Sequence, residues 1–170
     1  MKRRKFMAGG ASVLAITAAG CAELGFGSEL SSADQTALET YTTSYETMQE
    51  AKDRYDDGIE IFRENLTADG TIEGEYPHDW PDLQETMLTS NSLFGDASDG
   101  FNQARRSASS SLIESACEDA VAWIEPHTEV ARFFGDLGGP TASFIDEHEQ
   151  QLDELPDPMS PTDLENGVTT

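Results

Sequence analysis

A chain of 170 residues has room for one domain with one respectable core. Its 33 acidic and 10 basic residues give a net charge of -23, and four of the bases (Lys2, Arg3, Arg4 and Lys5) stand before Cys21, where there is no acid. Residues 21–170 therefore carry 33 acids against six bases, a net charge of -27 with Lys52 as the only lysine, and a surface of that kind excludes nucleic acid as a partner.

The first twenty-one residues run charged, then apolar, then small, then cysteine. Phe6 to Ala19 make a mildly hydrophobic stretch interrupted by Gly9, Gly10, Ser12 and Thr17. It is shorter than the roughly 20 residues a helix needs to span a bilayer, so it reads as a signal peptide over 1–20. Arg3, Arg4, Lys5, Phe6 and Met7 resemble the twin-arginine export signal, which pairs two arginines with a following Phe and a large apolar residue. Lys2 and Ala8 depart from the fuller pattern. Ala18-Ala19-Gly20-Cys21 resembles a lipobox, with Ala18 in place of the commoner leucine. The resemblance implies export of a folded chain and attachment of lipid to the Cys21 thiol, the good nucleophile of that segment. The membrane partner would then be reached through Cys21, and the address is the outer face of the cytoplasmic membrane. Abundant carboxylates with almost no lysine resemble secreted proteins of extremely halophilic archaea. At molar salt the Debye length falls to about 3 Å and self-repulsion fades.

Residues 21–30 contain two glycines and no period, and read as a flexible tether. Ser32 with Gln35 is a capping-box signature, and Asp34 suits the positive end of a helix dipole. Leu38, Tyr41, Tyr45, Met48, Tyr55, Ile59, Phe62 and Leu66 then keep intervals of three and four, interrupted at Lys52. That pattern predicts a coiled-coil-like helix over about 33–66, which requires partner helices to cover its stripe. Asp69-Gly70, Gly74 and the loop from Tyr76 to Pro81 break the pattern, and Pro81 suits the start of a second helix. Leu83, Met87, Leu88 and Phe94 share one face of it. A third segment carries Phe101, Ala104, Ala108, Leu112, Ala116, Ala120 and Trp123, and its small middle is expected to pack against Tyr41, Tyr45 and Tyr55. Arg105 and Arg106 are expected to reach acids on neighbouring helices. Pro126 is expected to end or kink the third helix and start a short fourth with Val130, Phe133 and Phe134. Gly138-Gly139-Pro140 is a stop, a last helix covers about 141–155, and 156–170 reads as a loose acidic tail. The fold class is all-α: an antiparallel bundle of three to five helices filling 31–155.

Chemistry is sparse. Ile124 and Ile145 stand where a ferritin-like site would place Glu before His127 and His148, and His148-Glu149 lacks the second histidine of a zincin. His78, His127 and His148 fall in separate elements, so no metal site, cofactor or catalytic residue is assigned. Asp53, Asp57, Glu60 and Glu64 form a helical stripe that reads as a solvated acidic face. Cys117 sits among alanines as a small buried apolar residue, unless it pairs with Cys21 or another chain. Asn65-Leu66-Thr67 is a candidate N-glycosylation sequon. The expectation is a non-enzymatic lipoprotein whose bundle meets a partner protein or its own copies. The alternative is a solute- or metal-binding accessory of a transport or redox system, with a cavity lined by Tyr and Trp that can bring His127 near His148.

Overall fold

A computed structural model describes residues 30–67, 80–134 and 141–169. Within them lie five helices and no strand: α1 (Ser32–Glu64), α2 (Trp80–Ser107), α3 (Ser111–Phe133), α4 (Ala142–Asp153) and α5 (Pro161–Val168). The chain is an all-α helical bundle. The signal residues Arg3, Arg4 and Phe6, the lipidation site Cys21, His78 and Gly138-Gly139-Pro140 lie outside the described residues.

Ser31, one residue earlier than expected, caps α1. Its hydroxyl accepts the Asp34 N–H at 3.0 Å and donates to Asp34 Oδ2 at 2.7 Å, so the reciprocal box is Ser31–Asp34 rather than Ser32–Gln35. The buried face of α1 holds two interleaved rows, each repeating every seventh residue. Asp34, Tyr41, Met48, Tyr55 and Phe62 form one; Ala37, Ser44, Ala51 and Gly58 form the other. The large apolar residues had marked the helix, and the small ones complete the seam that Lys52 seemed to break. Leu38, Tyr45 and Leu66, expected in the seam, flank it as partly buried residues.

Helix α2 repeats the device, with Trp80, Met87, Phe94 and Phe101 in one row and Leu83, Ser90, Ala97 and Ala104 in the other. Contacts join α1 and α2 along much of their length. Tyr41 meets Phe101 edge-on at 5.0 Å, Ser90 Oγ donates to the Ala51 carbonyl at 2.8 Å, and Tyr55 meets Phe94 at 6.5 Å. Gly100 lies against Ser44, whose Cβ would stand 3.2 Å from a Cβ at position 100 and whose Oγ would collide with it. Only a residue without a side chain lets the two backbones approach there, which is why a helix-weakening glycine sits in the middle of α2.

The break after α2 falls at 108–110, inside the small-residue stretch expected to be helical. Serines readily satisfy backbone groups outside helices, and the turn is tied down from a distance. The Ser109 and Ser110 N–H groups donate to Asp34 Oδ1 at 2.7 and 2.9 Å. Asp34, 7 % exposed, thus holds the Ser31 hydroxyl at the start of α1 and closes the α2–α3 turn with one carboxylate. Hydrogen bonds from Ser31 and then Ser109 hold that carboxyl below the ordinary range, against the opposing effect of burial. Tyr41, expected to pack against alanines and serines, has the rings of Phe101 and Tyr45 as neighbours at 5.0 and 6.3 Å.

Helix α3 passes through Pro126 without ending, although the missing N–H removes one bond to the preceding turn, so there is no separate short helix before 134. Arg105 reaches Glu118 on α3 at 3.1 Å, whereas Arg106 donates to the Asn102 carbonyl of its own helix. Cys117 is fully buried on α3, and burial pushes its thiol up to about 11. The expected loose tail is corrected: Ser160 caps α5, Pro161 is its first residue, and Leu164 is 0 % exposed. The Tyr41 hydroxyl donates to the Met159 carbonyl at 2.7 Å and pins this segment to α1. Three prolines and a lone leucine carry no period, so the pattern alone could not announce a helix of two turns.

Candidate functional site

Residues from three helices and the link between α4 and α5 surround a cavity of about 540 Å3. Helix α1 supplies Lys52, Tyr55, Asp56 and Arg63; α3 supplies Trp123 and His127; α4 supplies Glu149 and Leu152; the link supplies Leu155 and Asp157. The volume lies in the range of small-molecule sites. The sole lysine after residue 20 is in its wall.

Tyr55 is 3 % exposed, yet its hydroxyl has no hydrogen-bond partner among the described residues. Burial raises the pKa of this hydroxyl, and the charges of Glu149 and Asp56 add to that while Arg63 opposes it. An orphaned buried hydroxyl costs about 1–3 kcal/mol. The ring earns its place otherwise, edge-on to Phe94 and, at 5.2 Å, to His127.

His127 is equally enclosed, at 3 % exposure, because it follows Trp123 by one helical turn and faces α1. The two rings lie 4.0 Å apart. Burial lowers the imidazole to about 4, despite the opposing bond to the Trp123 carbonyl, so the ring is neutral at pH 7. Its Nδ1 stands 2.9 Å from that carbonyl. A carbonyl only accepts, which places the proton on Nδ1 and leaves Nε2 as a lone-pair acceptor. No hydrogen bond to Nε2 is made among the described residues.

The two cations are engaged: Lys52 pairs with Asp56 one turn on, and Arg63 pairs with Glu149 of α4, with Asp146 3.9 Å away. Asp157 is exposed and makes no ion pair among the described residues. The groups left without a protein partner are therefore a buried hydroxyl, an imidazole lone pair and a solvent-exposed carboxylate; all can accept, and the hydroxyl can also donate.

The structure brings Tyr55, Trp123 and His127 together, three residues which the sequence marked only as periodic or scattered. His148 is not among the lining residues; its Nδ1 is 3.0 Å from the Phe144 carbonyl and its ring stacks on Phe144 at 4.0 Å. Among the described residues no group of three or more His, Cys, Asp or Glu is arranged to hold a metal ion. Asp53, Asp57, Glu60 and Glu64 are all exposed along α1. Asn65 is the C-cap of α1, and its side-chain nitrogen, the atom a glycan would take, donates to the Ile61 carbonyl at 2.8 Å. No helix among the described residues is long and apolar enough to cross a membrane. No protein-family model, curated protein or solved structure matches the chain.

Proposed function

We propose that this chain is an extracytoplasmic lipoprotein: a non-enzymatic helical module exported by a twin-arginine signal and tethered by lipid on Cys21. It presents its bundle to a partner protein or to further copies of itself. The observation that carries this reading is the order of features at the start, with Arg3-Arg4 and Phe6, a short mild apolar stretch, then Ala18-Ala19-Gly20-Cys21. Two acyl chains would give a lasting anchor at about 0.8 kcal/mol per buried CH2. Cys21→Ser tests it by fractionation and mass measurement. The parent stays with membranes and carries the added mass of lipid, while the variant leaves the membrane fraction. A serine variant that remains membrane-bound at the parent's mass overturns the reading.

The acidic composition supports a high-salt habitat, of the kind haloarchaea occupy. At about 0.1 M salt, repulsion among the carboxylates should lower helicity, and molar salt should restore it. Circular dichroism that is the same at both concentrations would remove this part of the proposal. A second reading, a solute-binding accessory lipoprotein, is favoured by one observation: the cavity beside the orphaned Tyr55 hydroxyl.

A further inference from the structure

We propose that the cavity between α1, α3 and α4 binds a small organic amine, taken up as its ammonium cation. The inference rests on the solute-binding reading and adds the class of ligand. Its first support is the hydrogen-bond inventory of the wall. His127 Nε2 and the Asp157 carboxylate can accept, and neither makes a hydrogen bond among the described residues; the unpartnered Tyr55 hydroxyl is closed off beside them. Lys52 and Arg63, the donors that would suit an anion, are already paired with Asp56 and Glu149. A ligand rich in N–H groups fits that set; a carboxylate or phosphate does not.

Charge and shape agree with the inventory. Asp56, Glu149 and Asp157 outnumber Lys52 and Arg63 in the wall, and Glu60 and Glu64 stand beside Arg63 in the adjoining surface hollow. The whole chain, at -23, draws cations toward it. Trp123 and Tyr55 belong to the wall, and aromatic rings attract an ammonium group at close range. Leu152 and Leu155 supply apolar surface for a short carbon chain. His127 stays neutral because burial lowers it, so the imidazole does not repel the ligand at pH 7.

The test titrates the full-length chain, in salt that keeps it fully helical, with three probes of equal length: 1,4-diaminobutane, 1,4-butanediol and succinate. Tryptophan fluorescence and calorimetry read the binding. The diamine should bind saturably and at least tenfold more tightly than the diol or the dicarboxylate. His127→Phe keeps an aromatic ring and, the imidazole being neutral at pH 7, the net charge, so it should weaken the diamine at least fivefold while the circular dichroism spectrum stays as in the parent. Diamine affinity unchanged in His127→Phe would mean loose association with the acidic surface and would overturn the site. Tighter binding of the diol or succinate would overturn the amine and leave a solute site standing. Failure of all three probes would overturn both readings.

Discussion

Replacing Asp34 with alanine should lower the unfolding free energy by about 3 kcal/mol, measured by denaturant titration at pH 7. One carboxylate receives the Ser31 hydroxyl and the Ser109 and Ser110 N–H groups, and its own N–H is part of the α1 cap. Hydrogen bonds to a charged group are worth about 1.5–3 kcal/mol each in net terms, while the cap bond from the position-34 N–H to Ser31 survives the substitution. The total falls short of their sum, because water can reach parts of the turn once the carboxylate is gone. The pH dependence has a fixed sign. The folded carboxyl is held below its unfolded value of about 3.9, so its contribution is complete above that pH and is lost as pH falls through the lower folded value. With many other carboxyls titrating nearby, the diagnostic quantity is the difference between the parent and Asp34→Asn. That difference should shrink as the solution is acidified below about pH 4. A parent and alanine variant that unfold at the same denaturant concentration would show that this clamp contributes nothing.

The second large effect belongs to Phe94. Its ring is 0 % exposed and lies among Tyr55, Trp123 and His127 at 6.5, 6.3 and 5.4 Å. Phe94→Ala removes a ring from the meeting point of α1, α2 and α3 and should cost about 3–5 kcal/mol, comparable with the whole stability of a marginal domain. Near-UV circular dichroism should fall with it, since both Tyr55 and Trp123 lose a packed neighbour. Phe94→Leu should recover much of the loss, because it fills most of the void. A stability change below about 1 kcal/mol in the alanine variant would mean that the three helices do not close around this ring as described.

The helices were legible where large apolar residues repeat. Tyr41, Met48, Tyr55 and Phe62 announced α1, and its predicted span of 33–66 differs from Ser32–Glu64 by one or two residues at each end. Two features escaped for reasons of chemistry. Small residues serve equally in helix seams, turns and exposed faces, so Ala37, Ser44, Ala51 and Gly58 carried no signal until their seven-residue spacing was seen beside the larger row. Ser109 and Ser110 read as more of the same, although what decides their conformation is a carboxylate about 75 positions earlier in the chain. The cavity escaped for another reason. Tyr55 lies on the helical stripe as any core residue would, and Lys52 registered only as a fault in the pattern. A buried hydroxyl without a partner exists only once neighbouring helices have surrounded it. Lys52 was the one available hint: the single lysine after residue 20, among so many acids and next to an aromatic stripe.

The stretch from Leu155 to Met159 changes how the end of this molecule has to be treated. Leu155 and Asp157 form part of the cavity wall, Pro158 is buried, and the Met159 carbonyl takes the Tyr41 hydroxyl before Leu164 enters the core. A shortened version cut at Pro156, which the proline-rich composition invites, would open one side of the chamber and uncover Tyr41 and the start of α3 together. An affinity handle or crosslinker placed there would sit on a working surface, so the safer attachment points are outward positions of α2 such as Leu88, which is 51 % exposed.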